Sequence, residues 1–149
     1  MQQKPNRLRA VAIIRGSAAY PKLRGQVGFI QLQNCVLIEA AIHSLPDTDT
    51  GFFGFHIHTG DRCSGADFAD TLGHYNPAET SHPLHAGDLP PLMNCHGDAY
   101  LAVKTSRFRI EDILRRTVVI HSMPDDFTSQ PSGNAGTKIA CGIIRSTNG

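Results

Sequence analysis

His56 and His58 flank one isoleucine in Phe52-Phe53-Gly54-Phe55-His56-Ile57-His58, a run that is otherwise aromatic and apolar and reads as a β-strand. A strand points residues i and i+2 to the same face, with their Cα atoms about 6.5–7 Å apart. Two imidazoles so placed can converge on one metal ion, although an isolated His-x-His pair is more often two surface histidines. His121 shifts that balance. It ends the β-branched run Thr117-Val118-Val119-Ile120-His121, where a neighbouring strand offers a third ring nitrogen. His74, His82, His85 and Asp88 form a second group inside a long irregular stretch. Six of the eight histidines and one aspartate therefore fall into a pattern that reads as a two-metal site. That pattern constrains the fold, because two strand ends and a long loop have to meet at one place.

The rest of the chain supplies the scaffold. Leu8 to Ile14 is apolar and β-branched, and Tyr20-Pro21-Lys22 breaks the pattern after Gly16. Gln26 to Gln33 alternates, Asn34 marks a turn, and Val36 to Leu45 alternates again. Pro46 to Gly51 is a loop. From Thr59 to Asn94 glycine, proline, aspartate and histidine dominate and periodicity disappears. Loops of this length are uncommon and usually functional. Ala99 to Lys104 reads as a strand, Ile110 to Leu114 as one helical turn, Thr117 to His121 as a strand, and Met123 to Gly136 as a second long loop. Lys138 to Ile144 is the last strand. Short strands separated by turn signals predict an all-β chain, an antiparallel sandwich or barrel, and 149 residues point to a single domain over 1–149.

Charge and hydropathy narrow the function. A formal charge of +1 gives no general argument for nucleic acid or membrane binding, and no apolar run approaches the ~20 residues of a membrane span. Met1 to Arg9 is polar and basic, with no apolar core of signal-peptide form after it. The expectation is a cytoplasmic chain or a processed secreted one. Four cysteines, Cys35, Cys63, Cys95 and Cys141, allow three complete pairings, and no CxxC pair is present. Imidazole suits copper and zinc, and imidazoles joined by a carboxylate are a common zinc set. Three nitrogens and one oxygen from His74, His82, His85 and Asp88 fill a tetrahedral shell with no water position. This favours a structural zinc that orders its loop over hydrolytic zinc chemistry.

From about Ala10 to Ile144 the chain resembles the copper,zinc superoxide dismutases. Gly54-Phe55-His56-Ile57-His58 is similar to the family's first signature. Gly133-Asn134-Ala135-Gly136-Thr137-Lys138-Ile139-Ala140-Cys141-Gly142 is similar to its second. The His58-x4-Cys63 spacing and Gly87-Asp88-Leu89-Pro90 resemble the bacterial branch. The resemblance implies a Greek-key sandwich or flattened barrel with two long metal-site loops. It also implies superoxide as substrate and copper and zinc as cofactors, with copper on His56, His58, His74 and His121 and zinc on His74, His82, His85 and Asp88. His74 then bridges the two metals and delivers a proton to the departing peroxide. Asp125 is expected to accept hydrogen bonds from the free ring nitrogens of His56 and His82. Cys63 and Cys141 are expected to form the disulfide, leaving Cys35 and Cys95 as thiols. Lys138 stands where the family usually has an anion-guiding arginine; it keeps the charge and loses the planar fork. Ser132 lines up with a residue near the channel mouth. A homodimer is possible, and a metal carrier on the same scaffold is the alternative to an enzyme. His43 is expected to be structural or solvent-facing.

Overall fold

Alternation along the first strands builds one wall of the molecule. In β1 (Arg9–Gly16) Ala10, Ala12 and Ile14 are buried. In β2 (Arg24–Gln31) they are matched by Val27, Phe29 and Gln31, and in β3 (Val36–His43) by Val36, Ile38, Ala40 and Ile42. The intervening residues face outward, as a sheet with one wet face requires. The computed structural model describes residues 7–147, so most of the polar stretch from Met1 lies outside the described residues.

Seven strands pair antiparallel in the order β5-β8-β9-β1-β2-β3-β7, with β5 at Phe55–His58, β7 at Ala99–Thr105, β8 at Thr117–His121 and β9 at Lys138–Ser146. The neighbours β9-β1 and β3-β7 are far apart in sequence, the long-return connectivity of Greek-key folds. The sheet curls around Phe29, Ile38, Phe55, Ile57, Ile120 and Ile144. A two-stranded ribbon, β4 (Phe52–Phe53) with β6 (Leu92–Met93), lies between the edges: β4 runs into β5 and β6 packs on β7. Phe53 and Leu92 are fully buried beneath it. Buried Gln31 accepts the Ile110 N–H at 3.0 Å and so anchors the single helical turn α1 (Ile110–Ile113).

The sequence reading differs at two places. Phe52 to His58 is two strands, not one, because the chain changes partner at Gly54, from β6 before it to β8 after it. Its N–H donates to Met123 O and its carbonyl accepts from His121 N, each at 2.8 Å. A Cβ at Gly54 would lie 2.8 Å from that of Ala135. The stretch Thr59 to Asn94 also contains the short strand β6 and, at Ala66–Thr71, two 3-10 turns kinked at Asp67 and Phe68.

Candidate metal centre

Every residue of β5 and of β8 is buried. Phe55, Ile57, Val118 and Ile120 belong to the core cluster. His56 pairs with Val119 and His58 with Thr117, which places these four on the opposite face, in line with His121. That face is covered by the two long loops.

The free edge of β5 is covered as well. Ile57 N donates to Gly87 O and Ile57 O accepts from Tyr75 N, both at 2.8 Å; Thr59 N donates to Gly73 O, also at 2.8 Å. The first long loop thus takes the place of a neighbouring strand and satisfies an edge that would otherwise be open. These bonds set His74 beside His58 and Asp88 beside His56. Gly87 permits the approach, because a Cβ there would collide with the Ile57 carbonyl oxygen.

The ligand atoms of His56, His58, His74 and His121 lie within 4.8 Å of one another, as do those of His74, His82, His85 and Asp88. His74 belongs to both groups. The outer nitrogens of the rings are held. His56 Nε2 donates to Asp125 Oδ2 and His82 Nε2 to Asp125 Oδ1, each at 2.7 Å, and His58 Nδ1 donates to Leu72 O at 2.7 Å. A carboxylate or carbonyl only accepts, so these nitrogens carry the protons and the opposite nitrogens present lone pairs.

Those lone pairs have no protein donor. His56 Nδ1, His74 Nε2 and His82 Nδ1 are buried with no hydrogen-bond partner. His82 Nδ1 does lie 3.0 Å from Asp88 Oδ2, outside hydrogen-bond geometry. His58 Nε2 faces His121 Nε2 at 3.1 Å, whereas His74 Nδ1 lies 2.8 Å from Asp88 Oδ1 and 3.1 Å from His85 Nδ1. Nitrogen lone pairs converging at this range repel unless a cation stands among them, so the donor set fits metal ions.

Protonation agrees with that fit. Burial is the largest influence on each ring. It holds His56 and His85 below the ordinary imidazole value, His58 well below it, and His121 down to about 3. Burial works against the Asp88 and Asp125 carboxylates, but hydrogen bonds from His74 to the first, and from His56 and His82 to the second, outweigh it and leave both lowered. Neutral imidazoles and ionised carboxylates are the states in which these groups bind metal.

A cleft of about 500 Å3 opens over His58, His74 and His121, with Lys138 and Ser132 on its wall. Lys138 Nζ donates to Thr71 Oγ1 at 2.8 Å and to Leu72 O at 3.0 Å. Cys63 and Cys141 are joined, with their Cα atoms 5.7 Å apart, which ties the first loop to β9. Cys35 is half-buried and Cys95 exposed, both free. His43 is exposed and lies 2.9 Å from Asp98. Cys95 and His96 join no metal-binding group among the described residues. The Gly133 of the second signature has φ +77°, and a Cβ there would run into Asp125 Oδ1, so this turn and the aspartate pack as one unit.

Two side chains escaped the sequence reading. The Gln130 amide bonds both ends of the His82 peptide unit, donating to His82 O at 2.8 Å and accepting from His82 N at 3.0 Å. Arg107 donates to the carbonyls of Pro83 and His85. Neither bond leaves a spacing signal, because both are made to backbone atoms.

The copper/zinc superoxide dismutase family model matches residues 23–144. Superoxide dismutase [Cu-Zn] 1 of Aquifex aeolicus is 34% identical over 139 residues, covering 81% of this chain and 79% of its own. The superoxide dismutase [Cu-Zn] of Legionella pneumophila is 35% identical over 133 residues, covering 84% and 80%. A copper chaperone for superoxide dismutase from Rattus norvegicus is 32% identical over 155 residues, covering 94% of this chain and 54% of its own. The crystal structure of a double mutant of a SOD-like protein from Bacillus subtilis superposes with a TM-score of 0.79 at 26% identity, covering 91% of this chain and 96% of that one.

Proposed function

The chain belongs to the copper/zinc superoxide dismutase family, an oxidoreductase family with copper and zinc as cofactors and superoxide as substrate, and on that premise we propose how its own residues divide the work. His56, His58, His74 and His121 hold copper; His74, His82, His85 and Asp88 hold zinc; His74 serves both. Bound copper would supply the one-electron couple that dismutation of superoxide to dioxygen and hydrogen peroxide requires.

The observation that carries this reading is the set of imidazole lone pairs at the floor of a cleft that has a lysine on its wall. Lys138 attracts the anion. Its ammonium has three donors, and two are committed to Thr71 and Leu72, so one remains for a superoxide oxygen. His74 Nε2, buried and without a protein partner, is the atom that takes up and releases a proton beside the reacting anion. Asp125 fixes the tautomers of His56 and His82 and couples one metal set to the other. The zinc set orders the loop whose backbone edges β5.

The likeness to a copper chaperone favours a second reading, a metal carrier on the same scaffold. Superoxide decay measured on protein carrying both metals separates the two. Accelerated decay, raised in Lys138→Arg and lowered along with its salt dependence in Lys138→Ala, supports the enzyme. Full metal content with no acceleration leaves the carrier.

A further inference from the structure

The zinc turn presents a geometric problem. Only Pro83 and Leu84 separate His82 from His85, both of whose side chains point inward while Leu84 is 61% exposed at the tip. Proline has no N–H, and the Pro83 carbonyl lies where water competes for it, while the His85 carbonyl also accepts the Asp88 N–H at 3.0 Å. Arg107 reaches this turn from the segment after β7. Its Nη1 donates to Pro83 O at 2.8 Å and to His85 O at 3.1 Å, so one guanidinium nitrogen spans the turn at its first intervening residue and at its second ligand.

The base of that arm is fixed. Arg107 N donates to Thr105 Oγ1 at 3.2 Å, and the next residue, Phe108, is buried in the core. The reach of the guanidinium is therefore referred to the barrel wall and not to either metal loop. Gln130 holds the His82 peptide from the second loop, so the two supports act on different peptides from different sides. A hydrogen bond from an ionised donor is roughly twice as strong as a neutral one, which suits Arg107 to a partly wet position.

We propose that Arg107 is a positioning residue of the zinc site, clamping the Pro83 and His85 carbonyls so that His82 and His85 stand at the separation a tetrahedral ion needs. This rests on the zinc assignment above. Removing a partner that orients metal ligands lowers metal affinity by roughly 10–100-fold. Arg107→Ala should therefore release zinc about 10-fold faster to a chromophoric chelator, with copper retention unchanged. In cobalt-substituted protein the visible spectrum should broaden and shift as the tetrahedron relaxes. Arg107→Lys, with one mobile ammonium in place of the fixed fork, should recover only part of the loss.

The full-length, metal-loaded protein is the sample throughout. Zinc release within twofold of wild type, or equal loss of zinc and copper in Arg107→Ala, overturns the clamp; the second outcome would mark general loosening. The zinc assignment has its own control, since wild type should bind one zinc and Asp88→Ala should abolish it. Zinc retention in Asp88→Ala would overturn the assignment and the clamp together, whereas loss in Asp88→Ala with no effect of Arg107→Ala overturns the clamp alone.

Discussion

β1 and β8 have similar β-branched, apolar sequences, yet they live in different surroundings. Along β1, Ala10, Ala12 and Ile14 are buried while Ile13 is 52% exposed, so one face is core and the other meets water. Along β8 all five residues are buried, and Val119, facing away from the barrel interior, is as inaccessible as Val118. The difference lies in what covers the sheet. Two long loops form a third layer over β5 and β8, and they bury histidines there in place of aliphatic side chains. A loop layer has little apolar surface of its own, so a disulfide and buried histidine–aspartate hydrogen bonds hold it down. The β1–β3 wall rests on its backbone ladders and apolar packing.

The largest break in that comparison should come from the disulfide. Cys63–Cys141 closes a segment of 78 residues, for which chain-entropy reasoning gives about 4–5 kcal/mol. Cys141→Ser should lower the midpoint of chemical unfolding accordingly. Hydrogen exchange should show the first loop and β5 opening before β1, β2 and β3; uniform opening would mean that the loop layer is not a separate unit.

Asp125→Ala should come next. It strips the partner from two buried ring N–H groups, and each buried donor left unsatisfied costs about 1–3 kcal/mol. The melting temperature of the metal-free protein should fall, and zinc affinity should fall at least 10-fold by chelator competition. A loss confined to one metal would contradict its coupling of the two sets.

A smaller contrast tests the two sheet faces directly. Val119→Ala should cost about 2 kcal/mol, from two buried carbon groups and the cavity they leave. Val11→Ala, on the wet face of β1, should cost about 0.5 kcal/mol. Equal costs, read from denaturant midpoints, would show that the loops do not seal β8.

The most gradual effect is proton uptake. In the metal-free chain the folded-state pKa of His121 is about 3, and those of His56, His58 and His85 are lowered, against 6.5 for the free side chain. Below about pH 6.5 the unfolded chain therefore binds more protons than the folded one. Stability should be level above that pH and fall through the window down to about pH 3, by up to roughly 1.4 kcal/mol per pH unit for each such histidine. A melting temperature that holds or rises on acidification from pH 7 to 5 would contradict this.

Much of the site was legible before any coordinates. The pair His56 and His58, with His121 closing Thr117–His121, announces itself because strand periodicity fixes which side chains share a face. Asp125 was readable only through the family likeness, since nothing local separates it from exposed Asp126. The strand ends fell within a few residues because alternation is a local property. The break at Gly54 and the pairing of Leu92–Met93 with Phe52–Phe53 were not legible: the first is set by the loop that returns past His121, the second by a partner some forty residues away.

By itself the sequence determined an antiparallel β chain, the identity of seven candidate metal ligands and the lysine beside them, because periodicity and side-chain chemistry are carried residue by residue. Only the tertiary structure decided which nitrogen of each ring is left free. That choice depends on where Asp125 and the Leu72 carbonyl lie relative to each imidazole. Tertiary structure also decided that Lys138 and His58 share the Leu72 carbonyl and that Arg107 and Gln130 hold the turn from His82 to His85 by its backbone. Bonds to main-chain atoms can be made to any residue type, so they exist only once the chain has folded.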